Sequence, residues 1–178
     1  MTMMWLTYNR TLSMPILDEQ SLEFLSHSPD QTERIGVRLG EQLEPVDLVC
    51  LAGDLGSGKT TMVKGIARGW GSLDSVTSPS YVLVNEYRRA DGKVLFHFDA
   101  FRLSGVKEAE FLGLDELMDA GGPVLIEWPE RVADALPSDH LWISLHWVDE
   151  LRRGLHFEAS GARYERKLDE FRRAAFGR

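Results

Sequence analysis

The chain has 178 residues, 43% of them hydrophobic and 27% charged, the balance of a globular protein large enough to bury a core. Its 20 basic and 28 acidic residues leave a net charge of −8, which argues against a chain that grips nucleic acid by itself, since phosphate contacts need a basic face. The single cysteine, Cys50, excludes an intrachain disulfide or a cysteine-rich zinc cluster, and no apolar run approaches the ~18 residues of a membrane span.

Residues 1–15 read as a flexible N-terminal extension of one domain spanning 1–178, with Met14 an alternative start. Met1 to Met14 lack the charged start and continuous apolar stretch of a signal peptide, so the expected location is the cytoplasm. Leu22 to Leu25 alternates weakly, as an edge strand does. Ser28-Pro29-Asp30-Gln31 reads as a helix start, with Ser28 as N-cap, Pro29 at the first helical position and Gln31 closing a capping box. Ile35, Leu39 and Leu43 repeat at four-residue spacing and predict a helix of about 14 residues that Pro45 ends. A strand then begins at Val46 or Asp47.

That strand carries the most informative stretch of the chain. The apolar run Leu48-Val49-Cys50-Leu51-Ala52 feeds into Gly53-Asp54-Leu55-Gly56-Ser57-Gly58-Lys59-Thr60, a G-x-x-x-x-G-K-T phosphate loop, and an amphipathic helix pattern follows at once. The glycines let successive backbone N–H groups point into one concavity, and the helix starting near Lys59 adds the positive end of its dipole. Lys59 supplies a mobile charge for the β- and γ-phosphates, Thr60 a hydroxyl ligand for Mg²⁺, and Thr61 a contact on the α-phosphate side. Met62, Ile66 and Trp70 share the face that anchors the helix on the core. The expected ligands are ATP or a related nucleoside triphosphate, and Mg²⁺.

Downstream, Ser78-Pro79-Ser80-Tyr81 forms a polar turn opening on Val82 to Tyr87. Ala90-Asp91-Gly92 signals a tight turn, and Lys93 to Asp99 returns as the second strand of an antiparallel hairpin. On the return strand Leu95, His97 and Asp99 share one face. A helix is expected from about Val106 to Met118, then an apolar strand Val124 to Glu127, a turn from Glu130 to Leu136, strands at Leu141–Val148 and Leu155–Ala159, and a final helix lined by Tyr164, Leu168 and Phe171. A phosphate loop needs an acid at the end of a neighbouring strand, to hold Mg²⁺ or orient the attacking water. Asp99 and Glu127 are the two candidates, each at the carboxyl end of an apolar run. Either could instead be a turn or cap acid; His97 is as readily structural as functional, and Trp128 stacks on a base or a partner or simply packs.

Taken together these segments resemble the TsaE (YjeE) family, the small ATPase of bacterial tRNA threonylcarbamoyladenosine synthesis. The loop Gly53 to Thr61 is similar to its G-D-L-G-[AS]-G-K-T-T, and Ser78 to Val84 to its S-P-T-[FY]-x-L-V segment. His97 to Leu103 resembles H-x-D-x-Y-R-L, Leu112 to Glu116 L-G-L-D-E, Ile126 to Glu130 [IV]-E-W-x-E, and Thr32 to Gly36 T-x-x-[LI]-G. The matches run in order over roughly residues 28–165. Ser80 stands where Thr is usual and keeps a hydroxyl; Phe101 stands where Tyr is usual and loses one.

The resemblance implies an α/β P-loop NTPase fold, its sheet mixed and partly antiparallel, flanked by helices. It further implies an ATPase that docks on the proteins TsaD and TsaB and meets tRNA only through them. Carried over residue by residue, Asp54, Leu55, Gly56, Ser57, Gly58, Lys59, Thr60 and Thr61 hold the nucleotide, and Thr32 borders the adenine. Thr60 and Glu127 ligate Mg²⁺, Asp99 is the second acid or base there, and Lys59, Asp99 and Glu127 are the catalytic set. With no arginine finger or positioned glutamine evident, slow turnover by the isolated chain is expected. The alternative is a small-molecule kinase, though no compact arginine-bearing lid is evident. A GTPase lacks its N-K-x-D guanine reader here, and Val106-Lys107 breaks the ABC-type signature hinted at by Leu103-Ser104-Gly105. A binding module that never hydrolyses sits poorly with an intact Lys59, Thr60, Asp99 and Glu127.

Overall fold

Strand β2 (Leu48–Ala52) is apolar on both faces because it runs through the middle of a sheet with a core on each side. The computed structural model describes residues 20–76 and 83–176; the expected N-terminal extension and the Ser78-Pro79-Ser80-Tyr81 turn lie outside the described residues. Within them the chain runs β1 (Ser21–Ser26), α1 (Pro29–Gly40), β2, α2 (Lys59–Trp70), β3 (Val84–Arg88), β4 (Val94–Asp99), α3 (Val106–Phe111), α4 (Leu114–Met118), β5 (Val124–Glu127), β6 (His140–Trp147), β7 (Arg153–Ser160) and α5 (Ala162–Phe176). The strands form one sheet in the order β1-β7-β6-β2-β5-β4-β3. The central strands β4, β5, β2 and β6 are parallel, while β3 on one side and β7 and β1 on the other run antiparallel to their neighbours. This is the expected α/β architecture with a mixed sheet flanked by helices.

One face of the sheet, through Val49, Leu51, Leu125 and Ile143, packs on α1, α2 and α5. The other, through Leu48, Cys50, Phe98 and Ile126, packs on α3 and α4. Cys50 is core filler, and burial pushes its thiol up to about 12. At the end of β2 away from the phosphate loop, buried Asp47 holds Lys167 at 3.1 Å and Arg163 at 2.9 Å, which clips α5 to the sheet. Asp47 also accepts from the Glu44 N–H, and Val46 takes a left-handed φ of 72°, so the chain is still turning there and the strand starts at Leu48 instead of Val46 or Asp47.

Helix α1 starts as expected at Ser28, whose hydroxyl accepts from the Gln31 N–H. The Gln31 side chain reaches one residue further back than a capping box requires, to the His27 N–H. The helix is 12 residues long and ends at Gly40, so Leu43 joins the core from the loop beyond it. The expected helix from Val106 to Met118 is two short ones, because Gly113 sits between them at a φ of 81° and reverses the backbone. Among the described residues no helix is long and apolar enough to cross a membrane.

Helices α1 and α2 lie backbone to backbone. Gly36 and Gly40 on α1 meet Gly65 and Gly69 on α2, and a methyl group on Gly40, Gly65 or Gly69 would overlap a main-chain carbonyl of the facing helix, that of Ile66, Glu33 or Val37. At an unconstrained helical position Gly→Ala gains about 1 kcal/mol. Here the sign should reverse: Gly69→Ala is expected to lose about 1–3 kcal/mol in urea unfolding, and a gain would show that the two helices have room to separate.

Candidate functional site

The loop between β2 and α2 is built around its glycines. Gly53, Gly56 and Gly58 all have positive φ, and Gly58 is the left-handed N-cap of α2, so no side chain blocks the free N–H groups of the first helical turn. Lys59 is almost wholly buried, and its ammonium donates to the Gly53 carbonyl at 2.6 Å and the Asp54 carbonyl at 2.9 Å. Burial lowers the Lys59 ammonium below its ordinary value, against the opposing pull of the Glu127, Glu130, Asp99 and Asp54 carboxylates.

The two candidate acids meet at this loop because of strand register. Leu51 on β2 pairs with Glu127 on β5, and Glu127 pairs in turn with Asp99 on β4. Glu127 therefore belongs to the strand directly beside the phosphate loop, and Asp99 lies one strand further out. The Thr60 hydroxyl donates to Glu127 Oε1 at 3.3 Å. Asp99 accepts from the Phe101 N–H at 3.0 Å, and burial raises its carboxyl above the ordinary value, with the Glu127 charge adding to the rise. Together these groups line an open cleft of about 390 Å³ with Leu55, Gly56, Gly58, Lys59 and Thr61.

Not every expected residue faces that cleft. Thr32 is buried at the start of α1, where its hydroxyl donates to Ser26 Oγ at 2.8 Å, and it does not line the cleft. Asp54 contributes its carbonyl to Lys59 while its side chain stays outside the lining. Ser57 is buried beneath the loop, its hydroxyl without a hydrogen-bond partner among the described residues.

Three further residues line the cleft. Trp128 has a left-handed backbone (φ 60°, ψ 47°) although it precedes Pro129, a conformation disfavoured on both counts. That turn lays the indole over Lys59, whose Nζ lies 3.8 Å from the ring centroid, and Phe101 packs on the indole at 4.9 Å between centroids. Arg102 also lines the cleft. Its signal was present in His97-Phe98-Asp99-Ala100-Phe101-Arg102, three residues past a strand-end acid.

The site fits a Mg-nucleotide by the chemistry of its donors. Mg²⁺ prefers oxygen and is usually held by one or two carboxylates with the substrate's phosphates. Thr60 and Glu127 offer oxygens already within 3.3 Å of each other, and Asp99 lines the same cleft. Among the described residues no three His, Cys, Asp or Glu side chains converge as a metal cage of their own. An acid raised by burial carries a cost that is absent below its unfolded value and grows as pH rises towards its folded one. Asp99→Asn is therefore expected to raise the melting midpoint by about 2–4 °C at pH 7, and by less on acidification towards the ordinary carboxylate range. Melts across that range check the sign; a gain that grew with acid would contradict it.

Comparison with known proteins places the chain in a family. The family described as "Threonylcarbamoyl adenosine biosynthesis protein TsaE" matches residues 26–155. The tRNA threonylcarbamoyladenosine biosynthesis protein TsaE of Bacillus subtilis is 36% identical over 155 residues, covering 86% of this chain and 96% of the relative. The protein of the same description from Haemophilus influenzae is 38% identical over 124 residues, covering 67% and 78%. The crystal structure of YdiB from Bacillus subtilis superposes with a TM-score of 0.74 at 32% identity, over 88% of this chain and 97% of that one. The chain belongs to the TsaE family of tRNA threonylcarbamoyladenosine biosynthesis and has its P-loop NTPase fold.

Proposed function

We propose that the chain binds Mg-ATP in this cleft and hydrolyses it. Hydrolysis would serve the TsaD–TsaB pair as that pair places threonylcarbamoyl on adenosine 37 of tRNAs reading codons that begin with A. The observation that carries the reading is the meeting of Lys59, Thr60 and Glu127 at one sheet edge, beside the free N–H groups of α2. The amides of the loop and Lys59 hold the phosphates, with Lys59 exchanging its loop carbonyls for phosphate oxygens. Thr60 and Glu127 hold Mg²⁺, which when bound supplies positive charge to the phosphate oxygens. Asp99, at the end of the next strand, orients water or takes up its proton. Arg102, which lines the same cleft, would add a second positive group. The acidic balance of the chain fits contact with tRNA through partners instead of directly.

The reading is tested by phosphate release from Mg-ATP, by the chain alone and with the TsaD–TsaB pair, with and without tRNA. Slow release alone and a marked rise with the pair are expected; no effect of the pair would remove the partner assignment. Lys59→Ala should weaken ATP binding about 10–100-fold, the loss of one charge-assisted contact, and wild-type affinity in that variant would overturn the phosphate-loop reading. Glu127→Gln should reduce Mg²⁺-dependent hydrolysis about 100-fold and nucleotide binding far less. Equal turnover with and without the carboxylate would remove Glu127 from the site.

A further inference from the structure

Two buried side chains stand behind Glu127 in a line leading away from the cleft. His97 Nε2 lies 3.1 Å from Glu127 Oε1, and His97 Nδ1 lies 3.1 Å from the Tyr87 hydroxyl. His97 is fully buried, and Tyr87 and Glu127 are each 3% exposed. The three belong to adjacent strands β3, β4 and β5 and share one face of the sheet as diagonal neighbours. With the Thr60 bond, the chain of contacts runs Tyr87–His97–Glu127–Thr60, from the edge of the sheet to the start of α2.

For a neutral ring facing an ionised carboxylate, which only accepts, Nε2 carries the proton, Nδ1 accepts and the Tyr87 hydroxyl donates. Burial pushes the Tyr87 phenol up to about 12, so it keeps that proton. Both contacts to the acid, from His97 and from Thr60, fall on Oε1, and among the described residues none falls on Oε2. Among the described residues the carboxylate is thus held through Oε1. A histidine serving only to fill the core would need a partner for each nitrogen, but not this particular carboxylate.

We propose that Tyr87 and His97 are positioning residues for the divalent cation: they hold the Glu127 carboxylate against Thr60, so that the site meets Mg-nucleotide with its oxygens already placed. The inference rests on reading the cleft as a Mg-ATP site. Groups behind a metal-binding carboxylate or histidine typically change metal affinity about 10–100-fold when removed. Because Tyr87 lies on the edge strand β3, the same chain ties the order of that edge to the cation site.

The test is a Mg²⁺ titration of fluorescent mant-ATP binding by the whole protein, with affinity in EDTA measured alongside and melting curves confirming that each variant folds. Tyr87→Phe, which deletes only the hydroxyl, and His97→Phe should each raise the Mg²⁺ midpoint about tenfold or more while affinity in EDTA stays within about twofold. His97→Gln, whose amide can still donate to Glu127, should recover part of the His97→Phe loss. In a Glu127→Gln background Tyr87→Phe should add nothing. Unchanged Mg²⁺ midpoints in folded Tyr87→Phe and His97→Phe would overturn the positioning role and leave the nucleotide reading intact. Wild-type protein that bound no mant-ATP in either condition would overturn both, since Glu127 would have no cation to hold.

Discussion

The parallel hydrogen bonding of β2 to β5 is the constraint on which the site depends. It places Leu51 opposite Glu127, so the last residue of one strand stands beside the strand that launches the phosphate loop. Parallel strands end at the same edge of a sheet, and the helix following β2 begins at that edge with its unpaired N–H groups. A one-residue slip would turn Glu127 to the opposite face, into the cluster of Cys50, Phe98 and Ile126. Among the described residues that cluster holds no polar partner for a carboxylate, so the cost of burying Glu127 unpaired disfavours the slip and fixes its face.

Polar groups at this edge are buried beyond what stability alone would favour. Lys59 and His97 are enclosed, burial raises Asp99, and Trp128 holds a backbone conformation that costs about 1–3 kcal/mol. Hydrogen bonds offset much of this: loop carbonyls serve Lys59, and Tyr87 and Glu127 serve His97. The close packing of α1 on α2 contributes from behind, because facing glycines remove the side chains that would let the second helix, and Lys59 at its start, shift. Strain and buried charge collect where a charged ligand would relieve them.

Membership of the TsaE family accounts for the ordered motifs, and the structure gives several of them a physical role. Gly113, inside Leu112-Gly113-Leu114-Asp115-Glu116, reverses the chain between α3 and α4. Phe101, where the family more often has Tyr, packs its ring on Trp128, and its N–H bonds Asp99; neither contact needs a phenol. Ser80 lies outside the described residues.

The sequence by itself determined the phosphate loop, the strand before it and the helix after it, because a glycine pattern, an apolar run and a 3.6-residue period are all local. It also marked Asp99 and Glu127 as strand-end acids and ordered most of the remaining elements. What it left open was relational. Which acid stands next to Thr60 depends on the order β2-β5-β4, and that order is set by contacts between segments far apart in the chain. The contact of the Thr32 hydroxyl with Ser26, across the turn between β1 and α1, is likewise set by folding. Arg102 and Trp128 became part of the cleft only through the turns that follow β4 and β5. His97, evenly poised between structural and functional readings, gained its place from Tyr87 on one side and Glu127 on the other. Only tertiary structure decides such pairings, because a side chain's chemistry depends on the groups that folding brings within hydrogen-bond reach.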